Sequence, residues 1–294
     1  MKIIITGSLG NISKPISQEL IAKGHDVTII SSKADRQQEI EALGAKAAIG
    51  SVEDVEFLKT AFAGADAVYG MTPPNFDAID MIGYYRNVAK AYAEAAKSAD
   101  VRHIVYLSSY GADLAKGTGV IRGSHDGEGI LNELKGVAVT YLRPGYLYYN
   151  LYNFMGMIKG QDIISANFGG EDKLVMASPL DIAAVAVEEL TAPKSQNKVC
   201  YIASDERTCN EVAKLIGEAI GKPDLQWLTI TDEQAKNSRL KRGMAPAIVD
   251  LLVELGAAIH SGLLRSDYEK HKPALGKVKI QEFIKEFVAA YNHN

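Results

Sequence analysis

Short apolar runs alternate with amphipathic stretches along the first half of the chain. The first run, residues 3–5, is wholly β-branched and is typical of a buried strand. After a turn with two glycines, apolar residues recur at positions 12, 16, 20 and 21, the spacing of one helix face. The same order repeats, with further strands predicted at residues 25–30, 45–49, 67–70, 101–107 and 137–142. Strands that alternate with helices predict an α/β fold with a parallel sheet and right-handed crossovers.

The pattern changes near residue 146, where shorter elements replace the regular alternation. Strands are predicted at 163–164, 173–176, 198–202 and 225–230, and helices at 181–190, 209–220 and 245–259. We therefore predict a Rossmann-type, doubly wound domain over residues 1–150 and a smaller α+β substrate lobe over residues 151–294. The lobe is expected to be discontinuous, with residues of about 178–202 packing back on the first domain.

The composition is that of a globular protein large enough to bury a substantial core. Hydrophobic residues make up 47% of the 294 positions and charged residues 23%. The net charge of −4 argues against a nucleic-acid partner, because phosphate binding needs a basic surface. No apolar run approaches the length of a membrane span and no leader precedes the first strand. We therefore expect no membrane partner and a cytoplasmic location.

Cysteine and histidine usage favours neither a disulfide framework nor a metal centre. Cys200 and Cys209 lack metal-ligand spacing, so two reduced thiols are expected. The six histidines show no paired ligand spacing, so no metal site is predicted. The candidate chemistry therefore lies in the turns that follow the strands.

The turn after the first strand has the composition of a dinucleotide-binding loop. Gly7 and Gly10 would let a pyrophosphate approach the backbone closely. The first amides of the next helix would face that anion, and the helix dipole adds about 0.3–1 kcal/mol per charge. An ordinary strand-to-helix turn is the alternative, and Ser13 stands where a third glycine is expected. The position directly after the first strand favours a dinucleotide, and the assigned cofactor contacts are Gly7, Ser8, Gly10, Asn11 and Ile12.

The residues after the second strand bear on the choice between NADP and NAD. An acidic residue there would bind the 2′-hydroxyl of NAD, whereas cations accommodate the 2′-phosphate of NADP. The chain places Ser32, Lys33 and Arg36 at this point, which favours NADP, although Asp35 is a contrary sign. Solvated charges at a helix start are the alternative interpretation of Lys33 and Arg36. We predict NADPH as the preferred cofactor, with NAD as the alternative.

The carboxyl ends of the later strands should line the same crevice, because ligands of doubly wound sheets bind there. The fourth strand leads into three residues that we assign to the cofactor, namely Met71, Thr72 and Pro73. The fifth strand leads into Ser108, assigned to the cofactor, and Tyr110, assigned to catalysis. A polar strand-end turn is the alternative for both. The glycine-rich loop over residues 112–122 is expected to be mobile, either as a cover for a substrate or as a loose connection.

An aromatic cluster follows the sixth strand. Packing is the usual reason for such density, but aromatic rings also hold planar ligands, and a substrate pocket is expected at this strand end. The substrate contacts assigned within the cluster are Tyr146, Tyr149 and Asn150.

Taken together, these motifs resemble a known family. The chain carries Thr6-Gly7-x-x-Gly10-Asn11-Ile12, Tyr106-Leu-Ser-Ser109, His125-x-x-Glu128, Leu142-Arg143-Pro144, Asp181-Ile182-Ala183 and a terminal Lys279–Phe283 segment. They resemble the NmrA-like branch of the atypical short-chain dehydrogenases. The branch includes NADPH-dependent quinone reductases, triphenylmethane-dye reductases and regulators that bind dinucleotides without turning them over.

The resemblance includes a departure at the position of the usual acid–base pair. Typical short-chain dehydrogenases carry a Tyr-x-x-x-Lys pair, whose tyrosine donates the proton, but here the matching residues are Ile121 and His125. The Tyr268…Lys272 spacing lies far downstream and is interpreted as coincidence. His125 is the candidate proton donor, since an imidazole changes charge near neutral pH. The alternative is a helix-start residue that only orders the loop.

The leading functional hypothesis is therefore an NADPH-dependent reductase of a quinone or other small planar acceptor. A non-catalytic dinucleotide sensor needs the same cofactor loop and is the second hypothesis. A nucleotide-sugar epimerase or dehydratase is disfavoured by Ile121 and His125. The apolar stripe of the helix over residues 245–259 is interpreted as core packing, with an apolar substrate pocket or a homodimer face as the alternatives. A small molecule is the expected substrate.

Overall fold

The computed structural model describes residues 1–192 and 196–293. Residues 193–195, within the expected return segment at 178–202, and residue 294, the end of the predicted lobe, lie outside the described residues. The chain forms two compact units. The first unit contains Met1–Ala112, Gly123–Arg143 and Ile182–Cys200, and the second contains Asp113–Arg122, Pro144–Asp181 and Tyr201–Asn294.

A seven-stranded sheet confirms the predicted Rossmann-type α/β fold. Its strands in chain order are β1 (Lys2–Ile5), β2 (Asp26–Ser31), β3 (Lys46–Ile49), β4 (Ala67–Gly70), β5 (His103–Leu107), β6 (Ala138–Pro144) and β10 (Lys198–Ile202). The spatial order is β10-β6-β5-β4-β1-β2-β3, and β1 to β6 pair in parallel. The order reverses at β1, so the turn after β1 lies at the switch point where such sheets bind ligands.

The connections between consecutive strands from β1 to β6 are helical. The helices up to residue 192 are α1 (Ser13–Ala22), α2 (Gln37–Ala42), α3 (Val55–Phe62), α4 (Met81–Ser98), α5 (Ile121–Asn132), α6 (Met155–Gln161) and α7 (Pro179–Thr191). Asp54 caps α3 by accepting from the Phe57 amide at 3.1 Å, and Asp80 caps α4 by accepting from the Gly83 amide at 2.9 Å. Both carboxylates also interact favourably with the positive end of the helix dipole.

The core of the first unit is built from β-branched strand residues and aromatic rings. Ile4 and Ile30 from the strands are buried together with Leu58 of α3 and Val88 of α4. Rings of Phe62 and Tyr92 stack with 6.3 Å between centroids, and those of Tyr106 and Tyr141 meet edge to face at 6.5 Å. The strands therefore lie in a largely apolar layer, in which Thr28 and Thr140 are buried polar residues within strands.

The second unit contains two small sheets. One has the order β11-β9-β7, from β7 (Tyr146–Leu147), β9 (Lys173–Ala177) and β11 (Asp205–Thr208), and the other pairs β8 (Ile163–Ala166) with β12 (Gln226–Thr229). Its later helices are α8 (Cys209–Ala219), α9 (Asp232–Lys241), α10 (Pro246–His260), α11 (Arg265–Tyr268) and α12 (Ile280–His293). Capping boxes at Thr208 and Thr231 start α8 and α9.

Asp181, part of a motif shared with the family, anchors the chain before α12. Its carboxylate accepts from the Ser204 hydroxyl at 2.6 Å and from the amides of Lys277 and Val278, each at 3.1 Å. A Cβ at Gly276 would collide with the same carboxylate, so glycine is required there. The motif therefore serves to position residues 276–278 within the second unit.

The loop expected to be mobile is packed instead. Thr118 is fully buried, and a Cβ on Gly119 would overlap the backbone of α10 at Leu251. Gly117 and Gly119 both have positive φ values, +80° and +58°. The glycines therefore serve a tight turn and a close approach to a helix, which are the other physical reasons for glycine in a loop.

No helix within the described ranges combines the length and the apolarity needed to cross a bilayer. Among the same residues, no three His, Cys, Asp or Glu side chains come together in a way that could hold a metal ion.

Candidate cofactor-binding and active site

The turn between β1 and α1 requires glycine at its first position. Gly7 has φ +88°, a left-handed conformation that side chains disfavour. A Cβ there would lie 2.5 Å from the Ser13 Oγ and 3.1 Å from the Met71 Sδ. The turn is thus closed on one side by α1 and on the other by the end of β4.

Ser13 explains how the chain manages without a third glycine. Its hydroxyl donates to the Thr6 carbonyl oxygen at 2.8 Å, and the Ser17 hydroxyl donates to the Ser13 carbonyl oxygen at 2.8 Å. Thr6 Oγ1 in turn accepts from the Met71 amide at 2.9 Å. A small hydroxyl residue therefore keeps the close packing of strand and helix and adds a hydrogen bond.

The middle of the turn reaches toward the end of β2. Ser8 is left-handed, with φ +53°, and its amide donates to the Ile30 carbonyl oxygen at 3.1 Å. The Ser8 hydroxyl donates to the Ser31 Oγ at 2.9 Å. The Gly10 amide donates back to the Gly7 carbonyl oxygen at 3.1 Å, which fixes the shape of the turn. The predicted cofactor residues of the turn are therefore next to the segment that was predicted to select NADP.

The start of α1 offers backbone donors to an anion. Ile12 occupies the N-cap without a side-chain cap, and no acidic residue lies in the first helical turn. The amides of Asn11 and Ile12 donate to no acceptor within the part of the chain that the structure describes. A Cβ on Gly10 would contact only the Gly7 carbonyl oxygen, at 3.1 Å. An exposed glycine, free amides and the helix dipole fit a pyrophosphate.

The residues after β4 are held by two buried phenols. The Tyr92 hydroxyl donates to the Met71 carbonyl oxygen at 2.6 Å, and the Tyr106 hydroxyl lies 3.1 Å from the Thr72 Oγ1. Burial raises the pKa of both phenols well above the ordinary tyrosine value, so both stay neutral. Met71 and Thr72 are thus fixed beside the glycine turn, and Pro73 follows them at the partly exposed surface.

The cations near the end of β2 share one carboxylate. Arg36 Nη1 lies 2.6 Å from Glu39 Oε2, and Lys14 Nζ lies 3.5 Å from Glu39 Oε1. The hydrogen bond from Arg36 is the main reason that the pKa of the Glu39 carboxyl is lowered. Ser32 and Lys33 are exposed, and the Lys33 amide donates to the Ser31 Oγ at 3.2 Å. The predicted residues are present at this edge, and sequence reasoning missed Lys14 and Glu39.

Ser108 belongs to a buried charged cluster that sequence reasoning did not predict. Its hydroxyl donates to Glu128 Oε1 at 2.5 Å. Arg143 donates to the same carboxylate from Nε at 2.9 Å and from Nη2 at 2.6 Å. The two charged side chains are only 7% and 9% exposed. The signal lay in the His125-x-x-Glu128 and Leu142-Arg143-Pro144 motifs, but nothing in the sequence pairs residues fifteen positions apart.

The two residues assigned to catalysis differ in exposure. Tyr110 is only 4% exposed. His125 is partly buried, and its Nδ1 lies 2.9 Å from the Ala112 carbonyl oxygen. Because a carbonyl oxygen only accepts, Nδ1 carries a hydrogen in this pair, which leaves Nε2 as the second functional nitrogen.

The downstream Tyr268 and Lys272 have a separate structural role. The Tyr268 hydroxyl donates to Glu206 Oε1 at 2.7 Å, and Lys272 Nζ lies 2.7 Å from the same oxygen. Burial raises the pKa of the Tyr268 phenol, and so does its hydrogen bond to Glu206. A phenol that is harder to ionise is opposite to what a catalytic Tyr-x-x-x-Lys pair needs.

The aromatic cluster after β6 belongs to the second unit and packs extensively within it. Tyr148 stacks on Phe283 with 5.5 Å between centroids, and Tyr152 stacks on Phe287 at 5.5 Å. The ring of Tyr146 contacts Phe168 edge to face at 6.3 Å. Tyr146, Tyr149 and Asn150 are partly exposed, so they remain accessible to a ligand, whereas Tyr148 is buried.

The sheet order and the glycine turn at its switch point define a dinucleotide-binding protein of the Rossmann class. Residues 7–193 match the family described as NAD(P)H-binding. The chain belongs to this NAD(P)H-binding family. The match agrees with the resemblance of its motifs to the NmrA-like branch of the atypical short-chain dehydrogenases.

Individual relatives extend over the whole chain. An NAD(P)H azoreductase of Xenophilus azovorans is 28% identical and covers 98% of this chain and 99% of its own. Among solved structures, the triphenylmethane reductase of Citrobacter sp. has a TM-score of 0.81 at 20% identity, covering 98% of this chain and 100% of its own. An NADPH-dependent quinone oxidoreductase from Escherichia coli, complexed with NADPH, has a TM-score of 0.79 at 19% identity, covering 97% and 99%.

Proposed function

We propose that the chain is an NADPH-dependent reductase of a quinone or a similar small planar acceptor. The observation that carries this proposal is the replacement on α5 of the usual Tyr-x-x-x-Lys pair by Ile121 and His125, in a family that binds NAD(P)H. An alcohol dehydrogenase or an epimerase needs that pair, whereas reduction of a conjugated acceptor does not. The azoreductase, dye-reductase and quinone-reductase relatives support the same class of acceptor.

The cofactor is proposed to bind along the turn after β1. The amides of Asn11 and Ile12 would hold the pyrophosphate, and Gly7 and Gly10 would let it approach. Ser8 and the segment Ser32–Arg36 would contact the adenosine ribose and its 2′-phosphate. Met71, Thr72, Pro73 and Ser108 would lie along the nicotinamide half. The cations Lys33 and Arg36 are the reason to propose NADPH rather than NADH.

Side chains of the protein would then supply the proton that the reduced acceptor needs. Reduced nicotinamide supplies a hydride when it is bound. A quinone that accepts a hydride needs one further proton on oxygen to become the hydroquinone. His125 is proposed to deliver that proton from Nε2 of the doubly protonated ring, while Nδ1–H stays bonded to the Ala112 carbonyl oxygen. The neutral Nδ1–H tautomer remains, and it takes up a new proton at Nε2 from solvent. Tyr110, although largely buried, is proposed as a second polar contact.

The acceptor is proposed to contact Tyr146, Tyr149 and Asn150. Two aromatic rings provide flat apolar faces, and the amide provides a donor and an acceptor for a carbonyl group. A homodimer and a cytoplasmic location stay predictions from the sequence.

The test is direct: purified protein is mixed with NADPH and a panel of quinones and azo dyes, and cofactor absorbance is followed. Steady oxidation with at least one acceptor is expected, and His125→Ala should lower kcat about 100-fold. The exposed His271 serves as the control, since His271→Ala should leave kcat unchanged. Tight NADPH binding without oxidation across the whole panel would favour the sensor. Full turnover by His125→Ala would remove the imidazole from the mechanism.

A further inference from the structure

Helix α5 has little intrinsic stability and must be held in place by its surroundings. Its sequence, IRGSHDGEGILN, contains three glycines. Each glycine lowers helix stability by about 1 kcal/mol relative to alanine. Gly123 and Gly127 are needed for close packing, because a Cβ there would lie 2.6 Å from the Tyr85 ring and 2.8 Å from the Tyr106 hydroxyl. The orientation of α5, and of His125 on it, therefore depends on tertiary contacts.

Glu128 provides the strongest of these contacts. It lies three residues after His125, so both side chains project from the same side of the helix. Its carboxylate receives two hydrogen bonds from Arg143 in β6 and one from Ser108, directly after β5. We call Ser108, Glu128 and Arg143 the Glu128 clamp. The clamp fastens one turn of α5 to the carboxyl ends of two adjacent strands.

The clamp is specific in geometry as well as strong. Arg143 approaches the carboxylate with two parallel donors, which fixes the plane of the carboxylate and not only its distance. Both charges are nearly excluded from water, so each depends on the other. A second ion pair of α5, between Asp126 and Arg86 of α4 at 2.6 Å, lacks these properties because Arg86 is half exposed.

We propose that Glu128 is a positioning residue that acts through His125. With the clamp intact, α5 holds the imidazole so that Nδ1–H reaches the Ala112 carbonyl oxygen, and Nε2 is left for the acceptor. Without it, the glycine-rich turn shifts and the imidazole loses its fixed tautomer and direction. This inference rests on the proposed role of His125 as proton donor. It also gives Ser108 a second task beside its proposed contact with the cofactor.

The test compares Glu128→Gln, Ser108→Ala and the control Asp126→Asn in the full chain. Glu128→Gln should lower kcat about tenfold with little change in KM for the acceptor, and Ser108→Ala should lower it less. The kcat of Asp126→Asn should stay within about twofold of the parent, because its partner Arg86 is half exposed and an ion pair open to water contributes little. The Kd for NADPH, measured by calorimetry, should be unchanged in Glu128→Gln. Ser108→Ala keeps the ion pair between Glu128 and Arg143. It therefore still tests the proposal if Glu128→Gln does not fold.

Two further readouts separate positioning from a general structural role. Combining Glu128→Gln with His125→Ala should lower kcat no further than His125→Ala alone, because both changes remove the same contribution. The ¹⁵N shifts of the His125 ring should report Nδ1–H in the parent and a mixture of tautomers in Glu128→Gln. Additive losses in the double variant, or an unchanged tautomer, would overturn the proposal.

The ring measurement also distinguishes this proposal from the proposed function. If the parent oxidises no NADPH with any acceptor, the reductase proposal fails. The effect of Glu128→Gln on the His125 tautomer then still decides whether the clamp positions the imidazole.

Discussion

Ser13 and Thr6 join the first helix to the first strand through a single hydrogen bond. The Ser13 hydroxyl donates to the Thr6 carbonyl oxygen over 2.8 Å, in a position that water does not reach. A Cβ on Gly7 would lie only 2.5 Å from this hydroxyl. Ser13 can therefore make its hydrogen bond only because residue 7 is glycine. The glycine turn after β1 is thus stabilised by a residue that departs from the expected glycine pattern.

Ser13→Ala should lower the free energy of unfolding by about 1 kcal/mol, the usual net value of one buried hydrogen bond. The Kd for NADPH should rise only slightly, because Gly7 keeps its conformation. Urea unfolding and calorimetric titration measure the two quantities. Ser261→Ala is a matched control, since its hydroxyl bond is a longer 3.4 Å contact at the end of a helix. Equal effects of both variants would contradict the role given to Ser13.

Gly7→Ala should weaken both the fold and the cofactor site. Alanine at φ +88° costs about 1–2 kcal/mol, and its Cβ must displace the Ser13 hydroxyl or the Met71 side chain. We expect a rise in the Kd for NADPH of at least about tenfold when the turn moves by a few tenths of an ångström. Gly64→Ala is the control, since Gly64 has φ +69° but nothing within 4 Å of its Cβ position. Gly64→Ala should lower the free energy of unfolding and leave the Kd for NADPH unchanged. A Kd raised equally in both variants would argue against this view of the turn.

Glu39→Gln should increase the preference for NADPH over NADH. The substitution removes the carboxylate that Arg36 and Lys14 share, so both cations become available to a 2′-phosphate. The change should be a few-fold, because all three side chains are exposed. Lys33→Asp should shift the ratio the opposite way. Dissociation constants for 2′-phospho-AMP and AMP provide the measurement, and an unchanged ratio in both variants would contradict this assignment.

Glu206→Gln should reduce stability at neutral pH and change its pH dependence. Burial by itself would raise the pKa of the Glu206 carboxyl, but the hydrogen bonds from Lys272 and Tyr268 keep it below the ordinary value. A lowered pKa in the folded state stabilises the protein above the unfolded-state pKa, and this contribution is lost as pH falls through the folded-state pKa. The free energy of unfolding of the variant should therefore lie about 1.5–3 kcal/mol below that of the parent near pH 7 and approach the parent value in acid. Urea unfolding at several pH values checks this, and a constant difference at all pH values would contradict it.

The sheet could be predicted from the sequence because its strands are apolar runs between turn residues. All six strands of the first half appear within two residues of their expected bounds at either end. Helix α4 begins at Met81, because the Asp80 side chain caps it there. Strand β11 reads Asp-Glu-Arg-Thr, which has no apolar pattern, and it forms because it pairs antiparallel with β9.

The glycine turn after β1 could also be predicted, since its residues are consecutive and its glycines have a local cause; its contacts with a cofactor stay predictions. The clamp around Glu128 could not, because its members come from three elements that only the folded sheet brings together. The shared carboxylate of Glu39 was missed for the same reason, as Lys14 lies on another helix 25 positions earlier. The roles of His125, Tyr110, Tyr146, Tyr149 and Asn150 stay predictions.

The anchor at Asp181 has a consequence for how the chain matures on the ribosome. Two of the donors to its carboxylate are encoded 96 and 97 positions later. Until those amides emerge from the exit tunnel, this carboxylate must stay hydrated, so the second unit cannot close around it. A chain that ended just before residue 276 would therefore keep the Ser204 donor to Asp181 and lose these two amide donors, and we expect its second unit to be destabilised.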